Sequence, residues 1–265
     1  QSGKLKIVES MSSLPKSIKS KLSIVWHGSP HNFNKFTLDA MGTGEGVQAF
    51  GWGLYFADNE SIADWYKEAI GENRLLMDIA SYYATGTTVK HDDGSVDKVL
   101  DFQSGIKDGK PWYVTVQEID KSGNPIGNPR KHFTKPSKKS FEEKLGRSMS
   151  EPTLFKVNVP DSNYLLWDRS IDEQLPVVKD ALVRWAEKNG KEFRSGEAAY
   201  RSMSNILGGD KQASLELLSM GIYGIKFLDA NSRDGKSKAY NYVIFDDNAI
   251  RVLEKYSKGN GIAGM

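Results

Sequence analysis

The sequence predicts an α+β fold with small antiparallel sheets. Short apolar segments rich in β-branched and aromatic residues gather toward the two ends of the chain. A stretch with helical spacing fills 171–220 between them. Strands and helices do not alternate as they would in a doubly wound parallel sheet.

The elements follow in order. Residues 1–20 are rich in Lys and Ser and read as a lead-in, loose or helical. "KLSIVW" (21–26) is short, apolar and β-branched, which predicts a buried strand that ends before His27. "GWGLYFAD" (51–58) is a second strand flanked by glycines. "DNESIADWYKEAIG" after it predicts a helix, with Asp58 or Asn59 as cap and Ile62, Trp65, Tyr66, Ala69 and Ile70 at helical spacing. "PWYVTVQEI" (111–119) and "PIGNPRKHF" (125–133) flank "DKSGN" as a hairpin. "TLFKVNV" (153–159) is another strand. Three helices are expected in 171–220, broken near "KNGKEF" and "LGGDK". Strands return at 221–229, 240–247 and 250–256. Two segments, 84–110 and 121–150, read as linkers or flexible loops.

With 265 residues the chain has room for one large domain or two small ones. We read 21–256 as a single domain, with a helical insertion at 171–220 and a tail at 257–265. Hydrophobic residues make up 38%, enough for a real core, and the net charge of +2 demands neither nucleic acid nor membrane. No cysteine is present, so disulfides and thiolate chemistry are excluded. His31 and His132 lack ligand-like spacing, and no metal is assigned. No apolar run reaches the roughly 18 residues of a membrane span. The first residues have no signal-peptide character, which leaves a cytoplasmic location or delivery into a target cell open. Basic residues crowd 121–147, as either a solvated loop or a surface facing a partner.

Histidine is scarce, with four in the chain, yet "IVWHGSP" puts His27 where an apolar segment gives way to a turn. A histidine there is often a structural hydrogen-bonding group. Gly28 beside it lets a ligand approach the backbone closely. Tyr55 at a strand end and Tyr66 on a helix can bracket a flat heteroaromatic ring. In "AYNYVIFDD", strand alternation puts Asn241 and Tyr242 on opposite faces. "GTGEG" (42–46) is a weak partial match to a phosphate-binding loop. Arg233 lies in the segment leading to the last strand pair, either facing a phosphate or solvated.

Together "WHGS", "GWGLYFADNESIADWY" and "YNYVIFDD" resemble three ordered motifs of the ADP-ribosyltransferase superfamily. The likeness is to its diphtheria-toxin and poly-ADP-ribose-polymerase branch. It is nearest to the transferase domains of polyvalent proteins from phages and mobile elements, and it runs from about Ser23 to Leu253. The resemblance implies split antiparallel sheets with helices around an NAD cleft. It implies that His27 bonds the ribose hydroxyls of NAD and that the Gly28 backbone holds the nicotinamide carboxamide, supported by Ser29. Tyr55 and Tyr66 would bracket the nicotinamide. Ala63 stands where polymerases often have a serine, so that contact is missing.

The last motif departs from the family. Asn241 stands at or next to its catalytic glutamate, which opposes the charge developing on ribose as the glycosidic bond breaks. An amide keeps the acceptor but loses the charge, so polymer elongation is not expected. The expected catalytic set is Asn241, His27 and Tyr66, and a carboxylate such as Glu45 or Asp229 could substitute for the missing charge. The reading is a mono-ADP-ribosyltransferase that uses NAD as substrate and modifies a macromolecular acceptor, protein or nucleic acid, as a toxin, effector or mobile-element protein. An NAD glycohydrolase on the same site, or an interaction module that has lost the chemistry, are the alternatives.

Overall fold

The structure, a computed structural model, describes residues 4–5, 23–40, 49–61, 63, 67–107, 110–229 and 239–257. Strand β1 spans Lys4–Leu5, β2 Ser23–Ser29 and β3 Leu54–Ala57. A π-helical turn at Lys67–Glu72 leads into helix α1, Asn73–Tyr82. Next come β4 Thr88–Lys90, β5 Val96–Lys107, β6 Lys110–Glu118 and β7 Arg130–His132. Helix α2, Lys138–Leu145, precedes β8 Thr153–Val159 and β9 Tyr164–Leu166. Helices α3 Pro176–Lys188, α4 Gly196–Leu207 and α5 Asp210–Ser219 follow. The chain returns through β10 Gly224–Leu228, β11 Tyr240–Ile244 and β12 Arg251–Ser257.

The fold is α+β with two sheets. One has eight strands in the order β1-β12-β8-β2-β3-β11-β10-β9; the other has four in the order β4-β5-β6-β7. Neighbours are antiparallel except β9 and β10, which run parallel. The first sheet is larger than the small sheets expected.

Helices α3 to α5 cover one face of the large sheet. Val178, Leu182, Tyr200, Met203 and Leu217 pack there against Ile225, Phe227 and Val243. Each fully buried aliphatic side chain of this kind contributes about 1.5–3 kcal/mol. The helices are therefore an integral layer of the core. The breaks at 189–193 and 208–209 fall where expected, with Gly208 at φ 88 closing α4. The opposite face is aromatic, with Phe36, Phe56, Phe155, Tyr164 and Tyr242 packed around Val25, Val157 and Ile244.

The segments read as loops carry structure. Residues 84–110 hold β4 and all of β5, and 121–150 hold β7 and α2. The expected hairpin forms, with Val114 opposite His132 and Val116 opposite Arg130. β2 also runs three residues past Trp26, so His27, Gly28 and Ser29 lie within the strand and not beyond its end.

Candidate functional site

The three segments that carry the family resemblance form three adjacent strands, β2, β3 and β11. Their register aligns single residues. Trp26 faces Ala57, Ala57 faces Asn241, and Asn241 faces Phe227 of β10. Residues in such a row share one face of the sheet. Alternation puts Tyr55, opposite Val243, on that same face.

β2 pairs with β8 along its whole length but with β3 only at Trp26 and Ala57. Beyond that pair the ladder between β2 and β3 stops. At this fork the Nδ1 of His27 lies 2.7 Å from the main-chain oxygen of Tyr55. A carbonyl only accepts, so Nδ1 carries the proton and Nε2 is left as an acceptor. The ring sits among Phe36, Phe56 and Phe155, with centroids 5.1, 5.5 and 6.3 Å away. Burial lowers its pKa, against the opposing pull of the Tyr55 hydrogen bond. The imidazole is thus neutral and lies on the aromatic face. Asn241 lies on the face of the cross-strand row, so the sheet separates the two side chains.

Gly28 has a second physical reason to be glycine. A Cβ there would meet the carbonyl oxygen of Ala63 and would stand 2.6 Å from the main-chain nitrogen of Lys67. The backbone after β3 therefore crosses directly over this strand. Ser29 is buried, at 5% exposure, and its Oγ accepts from the N–H of His31 at 3.1 Å. It shapes the turn after β2.

Tyr55 is half-buried. Its hydroxyl donates to the oxygen of Gly51 at 2.7 Å and accepts from the N–H of Phe50 at 3.2 Å. The hydroxyl thereby holds the turn before β3. Burial pushes its pKa up. The ring meets Phe227 edge-on at 6.5 Å, while Phe50 stacks flat on Phe227 at 3.9 Å.

The amide of Asn241 donates from Nδ2 to Oδ2 of Asp229 at 3.0 Å. A carboxylate cannot donate, which orients the amide and leaves Oδ1 as an acceptor. Asp229 is 7% exposed, and its N–H donates to the oxygen of Ala239 at 3.0 Å, one residue beyond β10. A second carboxylate, Asp58, closes the same end of the strands. Its Oδ2 accepts from the N–H of Tyr240 at 2.9 Å. Burial raises the pKa of Asp58, and the charge of Asp229 adds to that rise. The sequence offered Asp58 only as a helix cap. Asn59 fills that role, accepting from the N–H and the hydroxyl of Ser61.

Tyr66, Trp65, Glu45 and Arg233 lie outside the described residues. Four of the eight basic residues of the 121–147 segment pair with carboxylates within the fold. Arg130 pairs with Asp97 and Glu118, Lys138 with Glu151, Lys139 with Glu143, and Arg147 with Asp78. Lys144 donates to the oxygen of Tyr82 and to Thr87. Among the described residues no helix is long and apolar enough to cross a membrane.

The chain matches no protein-family model, no curated protein and no solved structure.

Proposed function

We propose that this chain is a mono-ADP-ribosyltransferase that cleaves NAD at the nicotinamide-ribose bond and transfers ADP-ribose to a macromolecular acceptor. One observation supports this reading above the others. Three sequence blocks separated by up to about two hundred residues, each resembling one family motif, fold onto adjacent strands, with Trp26, Ala57 and Asn241 in one row.

In this reading the Oδ1 of Asn241 accepts from the nicotinamide-ribose 2′-hydroxyl, and Tyr55 and Tyr66 bracket the nicotinamide. The Gly28 backbone receives the carboxamide, which requires the segment at Ala63 and Lys67 to shift off Gly28 as NAD enters. His27 lies across the sheet from Asn241, so the ribose contact expected of it does not fit a ligand on the Asn241 face; in this reading its bond to Tyr55 sets the geometry of the fork beside Gly28. Ser29 supports the β2 end.

The covered Gly28 favours one second reading, an interaction module that retains the fold and has no NAD chemistry. Labelled NAD separates the two. Incubation with NAD labelled on the adenine ring, with and without a cell lysate, transfers label to a macromolecule if the first reading holds. Label released only as free ADP-ribose identifies water as the acceptor. Unchanged NAD in both arms supports the interaction module.

A further inference from the structure

Resting on the ADP-ribosyl reading, we infer that Asp229 supplies the negative charge that opposes the developing ribose cation, and that Asn241 positions it. The reaction needs an anion because of how its electrons move. The bond between the nicotinamide nitrogen and ribose C1′ breaks, and its electron pair leaves with nicotinamide. Positive charge grows on C1′ and the ring oxygen until an acceptor lone pair forms the new bond and the acceptor's proton passes to solvent. A fixed carboxylate in a site shielded from water stabilises that cation far better than an amide does.

Asn241 cannot be that carboxylate, but it touches one. Phe227 and Asn241 are directly opposed in the ladder, and Asp229 lies two residues further along β10's path on the same face, diagonal to Asn241. The 3.0 Å amide bond fixes one carboxylate oxygen at that diagonal. Asp229 is 7% exposed, and its backbone is held in register by Ala239. The carboxylate therefore has a defined position in a buried setting and needs little reorganisation during reaction. Asp58 is placed otherwise. Its Oδ2 is bonded to the N–H of Tyr240, so its main service is to the β3–β11 backbone.

The division of labour predicts a charge-relocation experiment. Asp229→Asn keeps size and hydrogen-bonding capacity and removes the charge. It should slow nicotinamide release at saturating NAD at least a hundredfold while NAD still raises the melting temperature. The double variant Asp229→Asn with Asn241→Asp returns a carboxylate to the pair from the other strand, and should recover at least tenfold over Asp229→Asn. As a positioning residue, Asn241 should act on the chemical step: Asn241→Ala should lower kcat with little change in the KM for NAD. If Asp229→Asn, folded by its melting curve, stays within threefold of the wild type, the assignment is overturned while the ADP-ribosyl reading stands. If Asp229→Asn is slow and the double variant is no faster, charge at this pair is not the cause, and the assignment is also overturned. A wild-type protein that neither binds NAD nor releases nicotinamide overturns both.

Discussion

His27 donates from Nδ1 to the main-chain oxygen of Tyr55 at 2.7 Å, across the point where β2 and β3 part. The imidazole stands in for the strand pairing that stops at Trp26 and Ala57. Burial, against the pull of this bond, keeps the ring neutral and lowers its pKa from an ordinary value of 6.5. Below that value the unfolded chain binds a proton that the folded chain resists. Stability from this group is therefore full above about pH 6.5 and falls as the pH drops toward the folded pKa. The melting temperature should decline between pH 7.5 and 5.5. His27→Asn, which keeps a donor for Tyr55, should lose part of that decline; the rest belongs to groups such as His132, whose pKa is also lowered by burial. An unchanged pH dependence in His27→Asn would show that His27 is not held neutral.

Gly28→Ala tests the close crossing over β2. The new methyl meets the Ala63 carbonyl and the Lys67 nitrogen, which belong to backbone and cannot rotate away. Overpacking of this kind costs about 1–3 kcal/mol. Thermal denaturation should show a clear loss. Stability equal to the wild type would mean that the segment lies further off than described.

If NAD reaches Gly28 by displacing that segment, hydrogen exchange should register it. Amides in 67–72 should change protection when NAD is added, while those of β8, which pairs with the other edge of β2, should not. No change at 67–72 under saturating NAD would place the nicotinamide elsewhere.

Asp78 ties α1 to the segment between α2 and β8. It is 1% exposed, accepts from the N–H of Ser150 at 2.7 Å and pairs with Arg147 at 2.5 Å. Burial works against its ionisation, but the Ser150 and Arg147 bonds outweigh it, and its pKa lies below the usual carboxylate value. Its contribution is therefore present above about pH 4 and is lost as the pH falls through the folded pKa. Asp78→Ala strands a buried N–H and should cost about 1–3 kcal/mol in chemical denaturation at neutral pH. Measured at the same pH, a loss under half of the lower figure would show that the network is slack.

Much of the large sheet was legible because its strands are apolar runs. β8, β10 and β11 lie inside their predicted spans, and β12 begins and ends one residue later than expected. The smaller sheet was legible only in its β6–β7 hairpin. Its inward positions alternate Val89 and Val99 with Asp97, a buried carboxylate held by Arg130 and His91. A charged residue at a core position breaks the apolar pattern that marks a strand. Helix α2 was missed for a related reason, since Phe141 is its only buried residue. Its ends were nonetheless written in the sequence, in the Ser137 cap that accepts from Ser140 and in Gly146 at φ 65. At the site, the motifs identified Asn241 and raised Asp229 as a candidate. They did not reveal that the two touch, because that depends on the β10–β11 register. Nor did they reveal that His27 and Asn241 lie on opposite faces, because that depends on where β2 leaves β3.

The most direct test of the central claim is nicotinamide release from saturating NAD, followed for the wild type and for Asn241→Ala. The account predicts release by the wild type and a rate roughly tenfold lower in the variant. Loss of one hydrogen bond in the transition state is worth about 1–1.5 kcal/mol, and 1.4 kcal/mol is a factor of ten. A wild type that releases no nicotinamide, or an Asn241→Ala protein as fast as the wild type, would contradict it.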